Sequence, residues 1–235
     1  DGGFVITWHS NSQDGSNWGI YGQRYDVNAA PVGDEFLVNT YTSGSQYDPS
    51  IASLSDGGFV VTWRDDKGSN HDGGSGIDVF GQRFDAAGAK VGDDFLINAD
   101  ADSGSQYEPS VADLGNGKFI VTWRDDAGSS HDTNENDSTV GSSYDVRAQI
   151  FTTVDAEGAA LTTPEALGGD FRVNTYTGSS QYLPSVTALQ GTDAGFVVPW
   201  QDDSGHDGGS GADIRGQLFD GSGTPVGDEF RGNTY

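Results

Sequence analysis

Internal repetition constrains this 235-residue chain more than any other feature. The segment DGGFVITW at residues 1–8 returns as DGGFVVTW (56–63), NGKFIVTW (116–123) and DAGFVVPW (193–200). A second unit follows each copy: YGQRYD (21–26), FGQRFD (80–85), RAQIFT (147–152) and RGQLFD (215–220). A third reads DEFLVNTY (34–41), DDFLINAD (93–100), GDFRVNTY (169–176) and DEFRGNTY (228–235). A fourth occurs three times, as QYDPSIASL (46–54), QYEPSVADL (106–114) and QYLPSVTAL (181–189). The Phe of the first unit recurs at 4, 59, 119 and 196, in steps of 55, 60 and 77. Such a period means one supersecondary unit stacked on copies of itself.

Every unit predicts a strand. Phe59-Val60-Val61-Thr62-Trp63 is β-branched and aromatic, bounded by Asp-Gly-Gly before it and by Asp-Asp one residue after. The Pro of QYxPS suits a first strand position, where no ladder donor is needed. No stretch keeps a helical period, although 163–167 is expected to form one short turn. Short Gly-rich links join QYxPS to FVVTW and GQRFD to EFLVNT, as hairpins require. The Trp-to-Gln link is the variable one, with 15, 19, 26 and 17 positions separating Trp8/Gln23, Trp63/Gln82, Trp123/Gln149 and Trp200/Gln217.

Four strands per unit predict an all-β, β-propeller-like array of four antiparallel blades, with QYxPS innermost and EFLVNT outermost. Tandem β-sandwich repeats are the structural alternative. The chain reads as one repeat domain over 1–235, its repeats spanning approximately 1–45, 46–105, 106–180 and 181–235. Fifteen strands can be counted where four full blades need sixteen, so a piece of a longer array, with further repeats of the same parent chain, or a domain with trimmed ends, is expected.

Composition removes several classes. Thirty Asp and six Glu face eleven Lys and Arg, a formal charge of −25. That charge repels nucleic acid, and no run approaches the roughly 18 apolar residues of a membrane span. Without cysteine there are no disulfides and no thiolate metal sites. Aromatic residues at 11% argue for a folded core.

The pattern DGGFVVTW…GIDVFGQRFDAAGAKVGDDFLINADADSGSQYEPSVADL resembles tandem repeats of large secreted bacterial calcium-binding proteins, the adhesin-like and RTX-associated polypeptides. The resemblance implies secretion or a cell-surface location, calcium as the cofactor, and repetition. The RTX nonapeptide itself is absent as a run; HDGGSGIDV (71–79) and HDGGSGADI (206–214) only echo it.

The Asp-rich loop after each Trp carries the candidate chemistry. Calcium takes six to eight oxygen ligands in flexible geometry, and three repeats offer matched carboxylates. The predicted sets are Asp65, Asp66, Asp72 and Asp78; Asp125, Asp126, Asp132 and Asp145; and Asp202, Asp203, Asp207 and Asp213. The first loop holds only Asp14 and is the weakest. His71, His131 and His206 read as hydrogen-bonded loop residues. Asp-Asp recurs with no copy singled out, which favours binding over catalysis. The four strand-end Trp residues are expected between blades, and Gln23, Gln82, Gln149 and Gln217 are expected to satisfy backbone groups across blades. Trp18, which has no counterpart, and Tyr47, Tyr107 and Tyr182, which share a rim position, are the predicted ligand-binding residues. The expected function is a calcium-binding extracellular module for adhesion or scaffolding, without catalysis. The alternatives are a lectin-like propeller binding cell-surface or matrix carbohydrate and, third, a polysaccharide-active enzyme.

Overall fold

A computed structural model of the chain describes residues 2–66, 76–98, 104–126, 144–190, 195–205 and 211–234. They form four antiparallel sheets. The first holds β1 (Phe4–Asn11), β2 (Trp18–Tyr25) and β3 (Pro31–Leu37), in that order. The second runs β4 (Gln46–Ser53), β5 (Phe59–Asp65), β6 (Asp78–Phe84), β7 (Lys90–Leu96). The third orders β8 (Gln106–Gly115), β9 (Lys118–Asp125), β10 (Asp145–Val154) and β11 (Ala160–Ala166), with β12 (Phe171–Arg172) also on β10. In the fourth, β13 (Gln181–Tyr182) and β14 (Thr187–Ala188) both pair β15 (Phe196–Asp202), followed by β16 (Asp213–Phe219) and β17 (Pro225–Arg231). The protein is an all-β, propeller-like array of four blades, with the strand order expected from the repeats.

Seventeen strands replace fifteen because two break. The outer strand of blade 3 splits into β11 and β12, and the inner strand of blade 4 into β13 and β14. The segment 163–167 contributes to β11 rather than a helical turn; Phe151 and Thr152 pair Ala166 and Glu165 there. An outermost edge strand tolerates Pro164, because no further strand needs its missing N–H. Pro49 and Pro109 are not first in their strands either. Each lies in a bulge, where the register shifts between Tyr47 and Ser50 and between Tyr107 and Ser110.

The Gly-Gln pair of GQRFD builds the outer bulge. Gly22, Gly81 and Gly216 lie opposite Phe36, Phe95 and Phe230. A Cβ on these glycines would meet the ring tips at 2.6, 2.9 and 2.7 Å. The aromatic ring covers the glycine backbone, a pairing that pins sheet register. The neighbouring Gln serves its own blade, not the next one. Gln82 Nε2 donates to the carbonyls of Arg83 and Gly92, and Gln217 Nε2 to those of Leu218 and Gly227. The reason is local: the bulge turns two carbonyls away from the ladder, and the amide reaches both. Blade 3 carries Ala148 opposite Phe171, and it is there that the outer strand is broken. Gly81→Val is therefore expected to cost about 1–3 kcal/mol by overpacking and to lower the calorimetric midpoint by several degrees, with Gly81→Ala costing less.

Consecutive blades pack face to face, which excludes separate sandwiches. Trp63 shares a core with Ile20 and Val38 of blade 1. Trp123 does so with Val60, Val79, Phe95 and Ile97 of blade 2, and Trp200 with Ile120, Val146, Ala148 and Val173 of blade 3. All three indoles are buried, whereas Trp8 of the first blade is half-buried. Within each blade a ring pair stacks across the ladder, Phe59 on Phe84 at 4.7 Å and Phe119 on Phe151 at 5.2 Å. No helix among the described residues is long and apolar enough to cross a membrane.

Candidate functional site

The loop carboxylates divide into buried and rim groups. Asp65 pairs Asp78 across β5 and β6, as Asp125 pairs Asp145 and Asp202 pairs Asp213. All six are buried. All but Asp213 terminate polar seams that cross from blade to blade through Asn and Gln; Asp213 accepts from Arg231 and Asn233 of its own blade. Asn98 Nδ2 donates to Asp78 Oδ1 (2.9 Å) and to Gln106 Oε1 (3.1 Å), and Gln106 Nε2 donates to Asp125 Oδ1 (3.1 Å). Asn174 joins Asp145 to Gln181, which reaches Asp202, and Gln46 joins Asn39 to Asp65. Each Asn Oδ1 also accepts a backbone N–H, from Ile20, Val79 and Val146.

Arginines enter the same layer in blades 3 and 4. Arg147 pairs with Asp170 (2.6 Å) and Arg215 with Asp202 (2.7 Å) and Glu229 (3.0 Å). Arg231 holds Asp213 at 2.6 Å, and the Asn233 hydrogen bond followed by this guanidinium keeps that carboxyl below its usual range. These predicted metal ligands are hydrogen-bond acceptors of the blade interfaces. Asp72, Asp132 and Asp207, and with them His71, His131 and His206, lie outside the described residues. Among the described residues no group of three or more His, Asp or Glu is arranged to hold a metal ion.

The predicted ligand residues do come together. Trp18 lies 5.8 Å from Tyr47, with His9 edge-on to both at 5.2 and 5.5 Å. Arg64 sits over Tyr47 at 4.9 Å and Tyr107 at 5.4 Å. Arg124 then sits over Tyr107 (4.5 Å), Tyr144 (4.6 Å) and Tyr182 (5.4 Å). One chain of rings and guanidinium groups thus runs across all four blades at the strand ends from which the Asp-rich loops depart. His9 is exposed and the other five rings are partly accessible. Alternating cation and π face holds the rim rigid, each contact contributing about 0.5–2 kcal/mol.

Carboxylates sit along this rim, and here the repeats differ. The x of QYxPS is Asp48, Glu108 and Leu183, each in left-handed backbone at φ 53, 56 and 50°. That conformation is costly for residues other than Gly and collects at functional sites. Asp48 lies 3.7 Å from Arg64, whose Nε is 3.2 Å from Asp66. Glu108 is 3.5 Å from Arg124 and accepts the Leu183 N–H at 2.8 Å. Burial raises the pKa of Asp66; the Arg64 charge opposes this and the Asp48 carboxylate adds to it. The equivalent Asp126 accepts the Ser105 N–H, and Asp203 accepts from the Gln201 side chain at 3.0 Å. Sequence reading missed Asp48, Glu108, Arg64 and Arg124. The signal available was the one varying letter of an otherwise fixed QYxPS motif.

No protein-family model and no curated protein matches the sequence. Solved structures do. A thermostable family-43 glycoside hydrolase superposes with TM-score 0.51 at 15% identity, covering 100% of this chain and 72% of that one. A protein of unknown function from Dyadobacter fermentans gives TM-score 0.56 at 12% identity, covering 96% and 64%. An endo-arabinase from Bacteroides thetaiotaomicron gives 0.47 at 14%, covering 86% and 67%. At these identities the shared property is the fold. The family-43 enzyme shows that this fold is also an enzyme fold, and the expectation of a non-catalytic adhesion or scaffolding module is corrected to that extent. Three of the six carboxylates in the repeated Asp-Asp pairs, Asp65, Asp125 and Asp202, are buried hydrogen-bond acceptors, while the acids that differ between repeats, Asp48 and Glu108, stand on the inner-strand bulges.

Proposed function

We propose that this chain is a carbohydrate-active enzyme that hydrolyses a neutral polysaccharide at the Tyr–Arg rim. One observation carries the reading: the inner strand places a different side chain in each of blades 2, 3 and 4, Asp48, Glu108 and Leu183, on an otherwise repeated aromatic rim. Glycoside hydrolysis needs two carboxyl groups, one holding a proton and one ionised. Asp66, whose pKa burial raises, serves as the proton donor. Asp48, 3.7 Å from the Arg64 guanidinium group beside Asp66, serves as its partner. Trp18 and Tyr47 offer ring surface to sugars. A formal charge of −25 favours neutral over polyanionic glycans.

The test is reducing-sugar release from neutral polysaccharides such as xylan, arabinan, mannan and β-glucan. Asp66→Asn and Asp48→Asn should each lower kcat about 10²–10⁴-fold, the usual range for an acid–base group. Asp203→Asn, at the equivalent position of blade 4, should leave it unchanged. Stability separates chemistry from folding. A carboxyl whose folded pKa is raised penalises the fold once pH exceeds its unfolded value. Asp66→Asn should therefore melt no lower than the parent at neutral pH, with the two curves converging in acid. Binding without turnover on every glycan, or equal losses in Asp203→Asn, overturns the assignment.

A further inference from the structure

We propose that the groove between blades 3 and 4 binds a primary ammonium group carried on an unbranched alkyl chain. The groove has a volume of about 460 Å³, and Thr175, Tyr176, Arg215, Pro225, Asp228 and Glu229 line it. That volume lies within the range of small-molecule sites. The groove belongs to a joint internal to the chain. The Thr175 N–H and hydroxyl, on the link into blade 4, donate to Glu229 Oε2 at 3.0 and 2.8 Å. Arg215 lies opposite Trp200, on the side of blade 4 that packs against blade 3.

The counterpart between blades 1 and 2 is filled by the chain's own side chains, and these name the ligand chemistry. Register aligns Arg215 with Phe80, each opposite the motif Trp, and Pro225 with Lys90, opposite Phe219 and Phe84. The repeats align Thr175 with Thr40, and Asp228 and Glu229 with Asp93 and Asp94. Phe80 is buried there and stacks on Trp63 at 6.5 Å. Lys90 Nζ donates to Thr40 Oγ1 at 3.2 Å, and Asp94 Oδ2 accepts the Thr40 N–H at 2.9 Å. Burial lowers the Lys90 pKa, while the Asp94 and then the Asp93 carboxylate oppose it. Blade 4 keeps the threonine and both acids but has lost the lysine. Arg215 is held between Asp202 at 2.7 Å and Glu229 Oε1 at 3.0 Å, which leaves the groove open above it. One guanidinium thus serves two carboxylates, and the exposed Asp228 adds a third acid. An ammonium ligand replaces the missing Lys90 side chain. Its N–H groups find the Thr175 hydroxyl and the carboxylates as acceptors, and its alkyl chain lies along Pro225. The same acids repel an anionic ligand.

The test titrates the whole chain with pentylamine, 1,5-diaminopentane and Nα-acetyllysine amide at matched ionic strength, read by amide NMR shifts and by melting. The Nε-acetylated lysine amide, which lacks the charge, is the control. The expected result is saturable binding with Kd on the order of 1 mM, with the largest shifts at Thr175 and Glu229. At ten times Kd the melting midpoint should rise by about 3–6 °C. The control should move neither readout, and added salt should weaken the binding. Tighter binding of the diamine supports a free polyamine as the source, and tighter binding of the lysine amide supports a peptide side chain. Pro225→Lys supplies the ammonium group from within, and should weaken every amine about tenfold or more without lowering the midpoint of the unliganded chain. Asp228→Asn, an exposed change, should weaken them about threefold or more and keeps the test open where Pro225→Lys does not fold. Absence of saturable binding overturns the proposal. Equal binding of the acetylated control or of neutral sugars does so too. So does amine binding that neither substitution weakens, since that reports only attraction to a chain of charge −25.

Discussion

Trp123→Ala is expected to lower folding free energy by about 3–5 kcal/mol, the cost of emptying a buried indole site. For a chain of this length that is about 6–20 °C in melting temperature, and a large part of the 5–15 kcal/mol typical of a domain. The indole is fully buried between blades 2 and 3, where it packs with Val60, Val79, Phe95 and Ile97. No backbone movement within one blade closes that space, because the cavity wall belongs to two sheets. The loss falls on an interface, so the stacked-repeat view makes a second claim. Coupling between blades 1–2 and blades 3–4 weakens, and the calorimetric transition should broaden or split. Trp8→Ala is the control, in the same motif but on the half-buried outer face of blade 1. It should cost under about 1.5 kcal/mol, the range of substitutions away from packed cores. Equal losses at Trp8 and Trp123 would mean that the blades do not pack in this order.

The strand order was legible because each blade repeats short β-branched runs between Gly-rich turns, and a hairpin leaves little choice of neighbour. The Asp-x-x-Gly turns illustrate it: Asp85 Oδ1 accepts the Ala89 N–H while the Gly88 N–H returns to the Asp85 carbonyl. The roles of the acids were not legible in the same way. Asp65 and Asp78 are separated along the chain by a loop, so spacing suggested one ion between them. Their amide partners, Gln46 and Asn98, come from distant segments of the same blade and relay to the neighbouring blades through Asn39 and Gln106, which no local pattern displays. The rim tyrosines were found because QY recurs in register. Asp48 and Glu108 occupy the varying letter of QYxPS, and only the fold brings that letter beside the Arg64 and Arg124 guanidinium groups. Ala148 and the split strand beside it belong to the same class of local departure.

Asn98→Ala is expected to cost about 3–6 kcal/mol, although the side chain is small. Its amide group donates to Asp78 and Gln106 and its oxygen accepts the Val79 N–H, all within a buried seam. Truncation removes one partner from each of three buried groups, and each such loss costs about 1–3 kcal/mol. The cavity left by the lost carboxamide group adds to this. Asn98→Asp separates polarity from shape, since it keeps volume and one acceptor but loses the donor and adds charge. The new carboxyl faces Asp78 at hydrogen-bond distance, with Asp125 beyond Gln106. Burial and that neighbouring charge raise its folded pKa above the unfolded value of about 3.9. The penalty is therefore smallest in acid, where the proton restores a donor, and grows as pH rises through the unfolded value to a plateau above the folded one. Melting Asn98→Asp between acid and neutral pH should show a gap from the parent that widens with pH, while the gap for Asn98→Ala stays nearly constant. Parallel losses for both variants would mean that the seam contributes by packing alone, and that its Asp residues do not depend on the amide bridge.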